Sequence, residues 1–214
     1  MTDRVRVFYL FDPLCGWCYG AQPALEKIAS LGTSEVELVP TGLFAGEGAR
    51  PMDASFAAYA WSNDQRIGRL TGQVFSQDYR RRVLANHARL FDSGPASLAL
   101  TAVALSVPTR ELDALKAIQR ARYVDGRDTT DPGILAEVLN DLDLGAAADR
   151  ILAPDDDLLE AYRRRISDGR ATMRQFGIDG VPALLVGAGE DRRPVRASAL
   201  FEDIDALLAG LRAA

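Results

Sequence analysis

The hydrophobic pattern at the start of the chain is typical of a strand, a helix and a second strand. Residues 4–11 are rich in Val, Phe, Tyr and Leu, and the Asp12-Pro13 pair ends this apolar run. Apolar residues then recur at helical spacing from about residue 16 to residue 31, and Gly32 can end that helix. Residues 35–39 favour a short strand. The first turn of this unit falls at residues 15–18.

The middle of the chain has the apolar spacing of helices, from about residue 53 to residue 177. Short polar residues and prolines mark where these helices begin. The pattern predicts helices that begin at or just after the following residues: Asp53, Ser93 or Gly94, Thr109, Asp131 and Asp155.

The strand pattern returns near the end of the chain. Residues 183–186 are apolar, and residues 194–196 can pair with them across the turn at residues 187–189. Ser198 is positioned to cap a final amphipathic helix. We therefore expect an α/β domain formed by residues 1–45 and 178–214, interrupted by an all-helical insertion at residues 50–177.

The first turn carries both cysteines of the 214-residue chain, Cys15 and Cys18. The free N–H groups at a helix start stabilise a thiolate, so we predict that Cys15 attacks a disulfide and Cys18 resolves the product. Gly16 would let a substrate backbone approach, and Trp17 would add apolar contact surface. A structural zinc site needs four ligands, and His87 is far away in sequence, so no metal is predicted.

A second candidate feature is the segment Gly180-Val181-Pro182-Ala183, just before the predicted strand. A proline here is compatible with a cis bond that enters the strand beside the cysteines. Val181 would offer its backbone groups to an extended substrate. Phe44 follows the second strand and can line a substrate groove or belong to the core, and both remain open.

Composition and charge limit the class of protein. Hydrophobic residues make up 48% and charged residues 26% of the chain, as in ordinary globular proteins. The net charge of −5 argues against a nucleic-acid partner. No apolar run is long enough to cross a membrane, and the first eight residues lack the pattern of a secretory signal. We therefore expect a cytoplasmic protein, where a permanent structural disulfide is not expected and a Cys-x-x-Cys pair is more often catalytic or metal-binding.

The motif Phe11-Asp12-Pro13-Leu14-Cys15-Gly16-Trp17-Cys18-Tyr19-Gly20 resembles DsbA-family thioredoxin-like proteins. It is most similar to the FrnE-like branch, which is described as predicted protein-disulfide isomerases. Pro23 matches the kinking proline of the active-site helix in this family, and Val181-Pro182 matches its valine followed by a cis-proline. The resemblance implies a thioredoxin-like fold with a helical insertion, and catalytic roles for Cys15, Cys18 and Pro182.

The chain departs from that family in two places. Periplasmic relatives carry Pro-His between the cysteines, where this chain has Gly-Trp. Many relatives also place a buried acid on the first strand, whereas residues 5–11 contain none. Asp12 is the nearest candidate to accept the Cys18 proton, and it also fits a plain turn residue. Because the thiolate-stabilising His is missing, we predict a redox potential between those of DsbA and thioredoxin.

The predicted function is thiol–disulfide oxidoreduction, as a reductase or isomerase of disulfides in proteins or small thiols. A thiol reductant such as glutathione or the thioredoxin system would regenerate the pair, with no bound cofactor. Two alternatives remain. Glutathione-dependent isomerases share this fold but usually have Ser at the first motif position. A redox-sensing binding module would use the same pair without turnover.

Overall fold

A mixed sheet joins the two ends of the chain in the computed structural model, which describes residues 4–202 and 204–212. Its four strands lie in the order β2-β1-β5-β6, and a separate two-stranded ladder joins β3 to β4. β1 pairs in parallel with β2 and antiparallel with β5, which forms a hairpin with β6. The strands described are β1 (Val5–Phe11), β2 (Ser34–Pro40), β3 (Arg50–Pro51), β4 (Leu90–Phe91), β5 (Ala183–Val186) and β6 (Arg193–Val195).

Helices account for most of the rest of the described chain. They are α1 (Gly16–Gly20), α2 (Gln22–Ala29), α3 (Ala54–Thr71), α4 (Gly94–Ser106), α5 (Glu111–Tyr123), α6 (Pro132–Asn140), α7 (Gly145–Leu152), α8 (Asp156–Gln175) and α9 (Ile204–Arg212). A π-helical turn covers Tyr79–Leu84, and short 3-10 turns cover Gly46–Gly48, Pro108–Arg110, Gly189–Asp191 and Ala197–Leu200. No helix in the described ranges is both long enough and apolar enough to span a membrane.

The central strand β1 is buried on both faces from Val7 to Phe11, and its side chains there are hydrophobic. Successive side chains of a strand point to opposite faces. Val7, Tyr9 and Phe11 accordingly belong to the large core cluster, whereas Phe8 and Leu10 pack with Leu185 and its neighbours on the other face. Such near-continuous apolar runs are typical of strands covered on both sides.

The middle segment packs directly onto this sheet. A Cβ atom built on Gly169 of α8 would lie 2.3 Å from the Pro40 carbonyl oxygen, so only glycine allows this close approach. Nearby, Arg165 donates from Nη2 to the Leu38 carbonyl at 3.0 Å. The large core cluster also contains residues from both segments, such as Leu25 and Leu100.

Three expectations need correction, and one stays open. The middle segment is not all-helical, because β3 and β4 pair within it, although no described strand at residues 50–177 joins the four-stranded sheet. Thr109 does not cap a helix, since it lies inside the 3-10 turn that precedes α5. Ser198 likewise lies inside a 3-10 turn before α9.

The division into residues 1–45 with 178–214 and residues 50–177 stays a prediction. Residues 1–3, 203 and 213–214 of those ranges lie outside the part of the chain described here.

Candidate active site

The two cysteines lie where a tight turn passes from β1 into α1. The Asp12 carboxyl accepts a hydrogen bond from the Leu14 N–H at 2.9 Å, and the Cys15 N–H donates to the Asp12 carbonyl at 3.1 Å. This side-chain to backbone pattern is an Asx turn. Cys15 then occupies the N-cap position of α1, with an extended backbone. Its sulfur therefore lies at the helix end where N–H groups favour negative charge.

A break in the active-site helix is stabilised from the middle segment. Pro23 lies in the first turn of α2 and has no N–H to donate to the Tyr19 carbonyl one turn earlier. Gln73 Nε2 donates to that carbonyl instead, at 2.9 Å. The loss of one helical hydrogen bond is thus compensated by a residue 54 positions away.

Cys18 is the more enclosed of the two free thiols, with 1% of its surface exposed against 7% for Cys15. Burial raises the pKa of Cys18 well above its usual value, and a hydrogen bond with Cys15 raises it further. The backbone N–H of Asp12 donates to the Cys18 sulfur and opposes that rise. The Tyr9 hydroxyl donates to the Cys18 carbonyl at 3.1 Å.

Asp12 is fully buried and ties three parts of the fold together. Besides the Leu14 N–H, its carboxyl accepts hydrogen bonds from the Phe44 N–H at 3.1 Å and the Ser93 hydroxyl at 2.6 Å. Burial raises the pKa of Asp12, although these donors and the Arg122 charge lower it. Asp12 is therefore a turn residue and also a titratable group next to Cys18.

The segment before β5 lies against Cys15. The Val181–Pro182 peptide bond is cis, and the Cys15 thiol donates to the Val181 carbonyl at 3.5 Å. Pro182 itself is buried. The Val181 carbonyl is therefore in direct contact with the Cys15 thiol.

A cavity of about 300 Å³ opens in front of Cys15. Its walls come from the cysteine turn, the loop after β2, α3 and α5, together with Gly180 and Val181. The Tyr123 hydroxyl donates to the Leu14 carbonyl at 2.7 Å, which fixes α5 against the turn. The side chains in the walls are mainly aromatic and aliphatic, with Arg50, Asn63 and Asp64 as polar members.

Trp17, Val181 and Phe44, which the sequence predicts as substrate contacts, all line this cavity. Trp17 packs edge-on against Phe201, with ring centroids 5.2 Å apart. Phe44 packs edge-on against Phe91 at 4.7 Å. Arg170 holds the loop that carries Phe44, because its guanidinium donates to the carbonyls of residues 41, 42 and 45 at 2.8–3.2 Å.

Gly16 also lines the cavity, but the reason for a glycine differs from the predicted one. A Cβ atom built on Gly16 would lie 2.3 Å from Asp64 Oδ1 and 3.2 Å from Ile67 Cδ1. The space beside its Cα atom is therefore taken by α3 and is not open to a substrate backbone.

Several cavity residues were missed by sequence reasoning. Phe56 and Tyr59, which the sequence favours as helix packing, line the cavity, and Tyr59 is 68% exposed. Asp64 was not singled out, although a charged residue on the buried stripe of α3, before Ile67, is a detectable signal. Tyr79 and Tyr123 carry no comparable signal. His87 is exposed and does not line the cavity.

The described side chains also include no group of three or more His, Cys, Asp or Glu residues that could hold a metal ion.

Comparison with known proteins identifies the family. Residues 5–207 match the DSBA-like thioredoxin domain. The fold is similar to that of the cytosolic disulfide reductase DsbM from Pseudomonas aeruginosa, at 30% identity and a TM-score of 0.85, over 98% of this chain and 100% of that one. A structure of DsbM with GSH gives a TM-score of 0.84 at 30% identity, over 97% of this chain and 98% of that one.

A candidate protein disulfide isomerase from Nitrosomonas europaea is 26% identical, with a TM-score of 0.78, over 97% of this chain and 99% of that one. No protein of curated function matches the chain. The match of residues 5–207 to the domain and the similarity to the disulfide reductase agree with the cysteine pair at the start of α1. The chain therefore belongs to the DsbA-like thioredoxin family and is a thiol–disulfide oxidoreductase.

Proposed function

We propose that this protein is a disulfide reductase or isomerase in which Cys15 attacks the substrate and Cys18 resolves the mixed disulfide. The observation that carries this assignment is that Cys15 lines the cavity and Cys18 does not. Attack requires a thiolate within reach of the substrate. Cys18, which is buried behind Cys15 and hydrogen-bonded to it, needs to reach only the Cys15 sulfur.

The substrate would lie against Val181 and the aromatic walls. Because the Val181 carbonyl already accepts from the Cys15 thiol, it marks where the backbone of an extended substrate approaches the nucleophile. Trp17 and Phe44 offer apolar surface in the walls of the same cavity. Pro182 acts as a positioning residue, because it fixes the carbonyl of Val181 beside Cys15.

Asp12 is our candidate for the proton acceptor of Cys18. When Cys18 attacks Cys15, its thiol must lose a proton, and its raised pKa makes that loss unfavourable without a base. Asp12 is a buried carboxyl close enough to Cys18 to affect its pKa. Since burial also raises the pKa of Asp12, its basicity is better matched to a thiol than that of an exposed carboxylate.

A small thiol such as glutathione is the proposed reductant, with the thioredoxin system as the other donor. A cavity of about 300 Å³ matches the lower end of the range for small-molecule sites. The similar structure of DsbM contains GSH, and that protein is named cytosolic. We accordingly propose a cytoplasmic location for this protein.

Trapping tests the assignment of the cysteines. Cys18→Ser should accumulate mixed disulfides with substrate proteins or with glutathione, to be identified by mass spectrometry. Cys15→Ser should give none, and equal trapping by the two variants would contradict the assignment. Insulin reduction with a thiol donor provides the second readout, because a binding module without turnover would not reduce insulin.

A further inference from the structure

A carboxyl from the middle segment lies against the cysteine turn. Asp64 on α3 is 4% exposed, and its Oδ1 atom fills the space where a side chain on Gly16 would lie. The Tyr79 hydroxyl donates to the other oxygen, Oδ2, at 2.9 Å. Oδ1 makes no hydrogen bond with any residue in the described ranges. Asp64 also lines the cavity that contains Cys15, so a carboxyl oxygen without a hydrogen-bond partner among the described residues borders the same space as the Cys15 sulfur.

Charged and titratable groups face Asp64 from each element around it. Cys15 lies across the cavity at the start of α1, Tyr79 lies on the π-helical turn, and Arg122 and Tyr123 lie on α5. Burial raises the pKa of Asp64 to about 7, while the Tyr79 hydrogen bond and the Arg122 charge act in the opposite direction. Near neutral pH the group therefore exists both as an acid and as a carboxylate.

In the resolving step, the substrate sulfur that leaves Cys15 needs a proton inside the cavity. When Cys18 attacks the Cys15 sulfur, the bond between Cys15 and the substrate sulfur breaks, and the electron pair stays on the substrate sulfur. Before it leaves, that sulfur is only about 2.05 Å from the Cys15 sulfur, so it lies inside the cavity. An alkyl thiolate is basic, with a thiol pKa of about 8.5, and apolar walls solvate it poorly.

We propose that Asp64 is the catalytic acid of this step and gives its proton to the substrate sulfur as it leaves Cys15. The products are the Cys15–Cys18 disulfide, a substrate thiol and the Asp64 carboxylate, which regains a proton from solvent through the cavity mouth. In the reverse direction, Asp64 takes the proton from an incoming thiol that attacks Cys15. The proposal rests on the proposed function, because it takes Cys18 as the resolving cysteine.

The test compares two leaving groups in Asp64→Asn, which keeps an oxygen that can accept from Tyr79. Reduced protein is mixed with an excess of bis(2-hydroxyethyl) disulfide or of a nitro-substituted aromatic disulfide. Samples are quenched with acid at successive times, and mass spectrometry measures the Cys15 mixed disulfide. Asp53→Asn is the matched control, because Asp53 is an exposed cap of the same helix and Asn also caps well.

With the alkyl disulfide, Asp64→Asn should resolve the mixed disulfide about 100-fold more slowly, the lower end of what a positioned acid contributes. With the aromatic disulfide, whose thiolate leaves without a proton, the resolution rate should stay within about twofold of wild type. Asp53→Asn should match wild type with both. Equal slowing with both disulfides, or no accumulation with the alkyl one, would overturn the proposal.

A second variant tests the same acid without removing it. Tyr79→Phe removes a hydrogen-bond donor that lowers the pKa of Asp64, so the carboxyl should stay protonated to higher pH. The fall of the resolution rate on the alkaline side of its pH profile should therefore move to higher pH. An unchanged pH profile would also count against Asp64. Failure of the proposed function would look different, since Cys18→Ser would then trap no mixed disulfide at all.

Discussion

Asp64 should make the folded protein less stable as the pH rises. Its pKa is about 7 in the folded protein, against an ordinary value of 3.8 that applies to the unfolded chain. Below both values the carboxyl is protonated in both states, so its burial carries no charge penalty. Between them the unfolded chain releases a proton that the folded protein keeps, and each pH unit lowers the free energy of unfolding by about 1.4 kcal/mol.

Asp64→Asn removes this titration and retains an acceptor for Tyr79. Between about pH 4.5 and pH 8, the free energy of unfolding of the variant should rise by about 3 kcal/mol relative to that of wild type. Most of the gain should appear below about pH 7, where the group in the folded protein finishes its titration.

Urea denaturation of both proteins at a series of pH values measures this difference directly. Asp53→Asn is again the control, because its carboxyl is exposed and its pKa is lowered by hydrogen bonds from residue 55 and Phe56. A difference between Asp64→Asn and wild type that does not change with pH would refute the reasoning. It would mean that Asp64 ionises without a penalty in the folded protein, and the same result would weaken its assignment as an acid near neutral pH.

Three further predictions follow from the packing and chemistry of the site. Gly16→Ala should lower the free energy of unfolding by about 1–3 kcal/mol, because the added methyl group would overlap Asp64. Gly32→Ala, which has open space around it, should change this free energy little. Equal effects of the two substitutions in chemical denaturation would contradict this prediction. Arg170→Ala should lower the free energy of unfolding by about 1.5–3 kcal/mol and raise the KM for disulfide substrates, because the loop that carries Phe44 loses its hydrogen bonds to the guanidinium. Arg164→Ala, an exposed change on the same helix, should have neither effect. The redox potential should lie between roughly −120 mV and −270 mV by titration against glutathione with Trp17 fluorescence as the signal, and a value near −120 mV would favour an oxidase.

The sequence predicted the elements whose signals are local. Asp53 and Asp155 both cap helices as expected, since each side chain accepts a backbone N–H three residues later. Ser93 precedes α4 as expected, yet its hydroxyl donates to Asp12 and caps nothing. The hydroxyl group of Ser93 is thus used in a contact with a residue 81 positions away, and a local sequence pattern cannot predict such a contact.

In the site, too, local motifs could be predicted from the sequence, whereas contacts between distant residues could not. Cys15 and Cys18 form a continuous motif, so their place at the start of α1 could be predicted. Asp64, Tyr79 and Tyr123 come from three separate elements of the middle segment, and only the packing of α3 and α5 on the turn brings them to the cavity. Sequence spacing within a helix can indicate which face is buried, but it does not identify the element against which that face packs.

Arg122 connects the two carboxyls to which we assign proton transfer. Its side chain is 1% exposed, and its guanidinium lies 5.3–5.9 Å from the ring centroids of Tyr79, Phe91 and Tyr123, which line the cavity. Its charge lowers the pKa of both Asp12 and Asp64. Because a guanidinium stays protonated in proteins, its charge opposes the effect of burial on both carboxyl pKa values at every pH.

Burial favours the acid form of both carboxyls, and in that form Asp12 cannot accept a proton. The fixed charge of Arg122 opposes this effect at both carboxyls, because it favours the carboxylate that Asp12 needs as a base and that Asp64 forms when it gives up its proton. If Asp12 and Asp64 have the roles that we propose, Arg122 would affect proton transfer at both sulfurs although it does not line the cavity itself. This role offers a physical reason to keep a charged side chain in the core, where a buried charge is otherwise unfavourable.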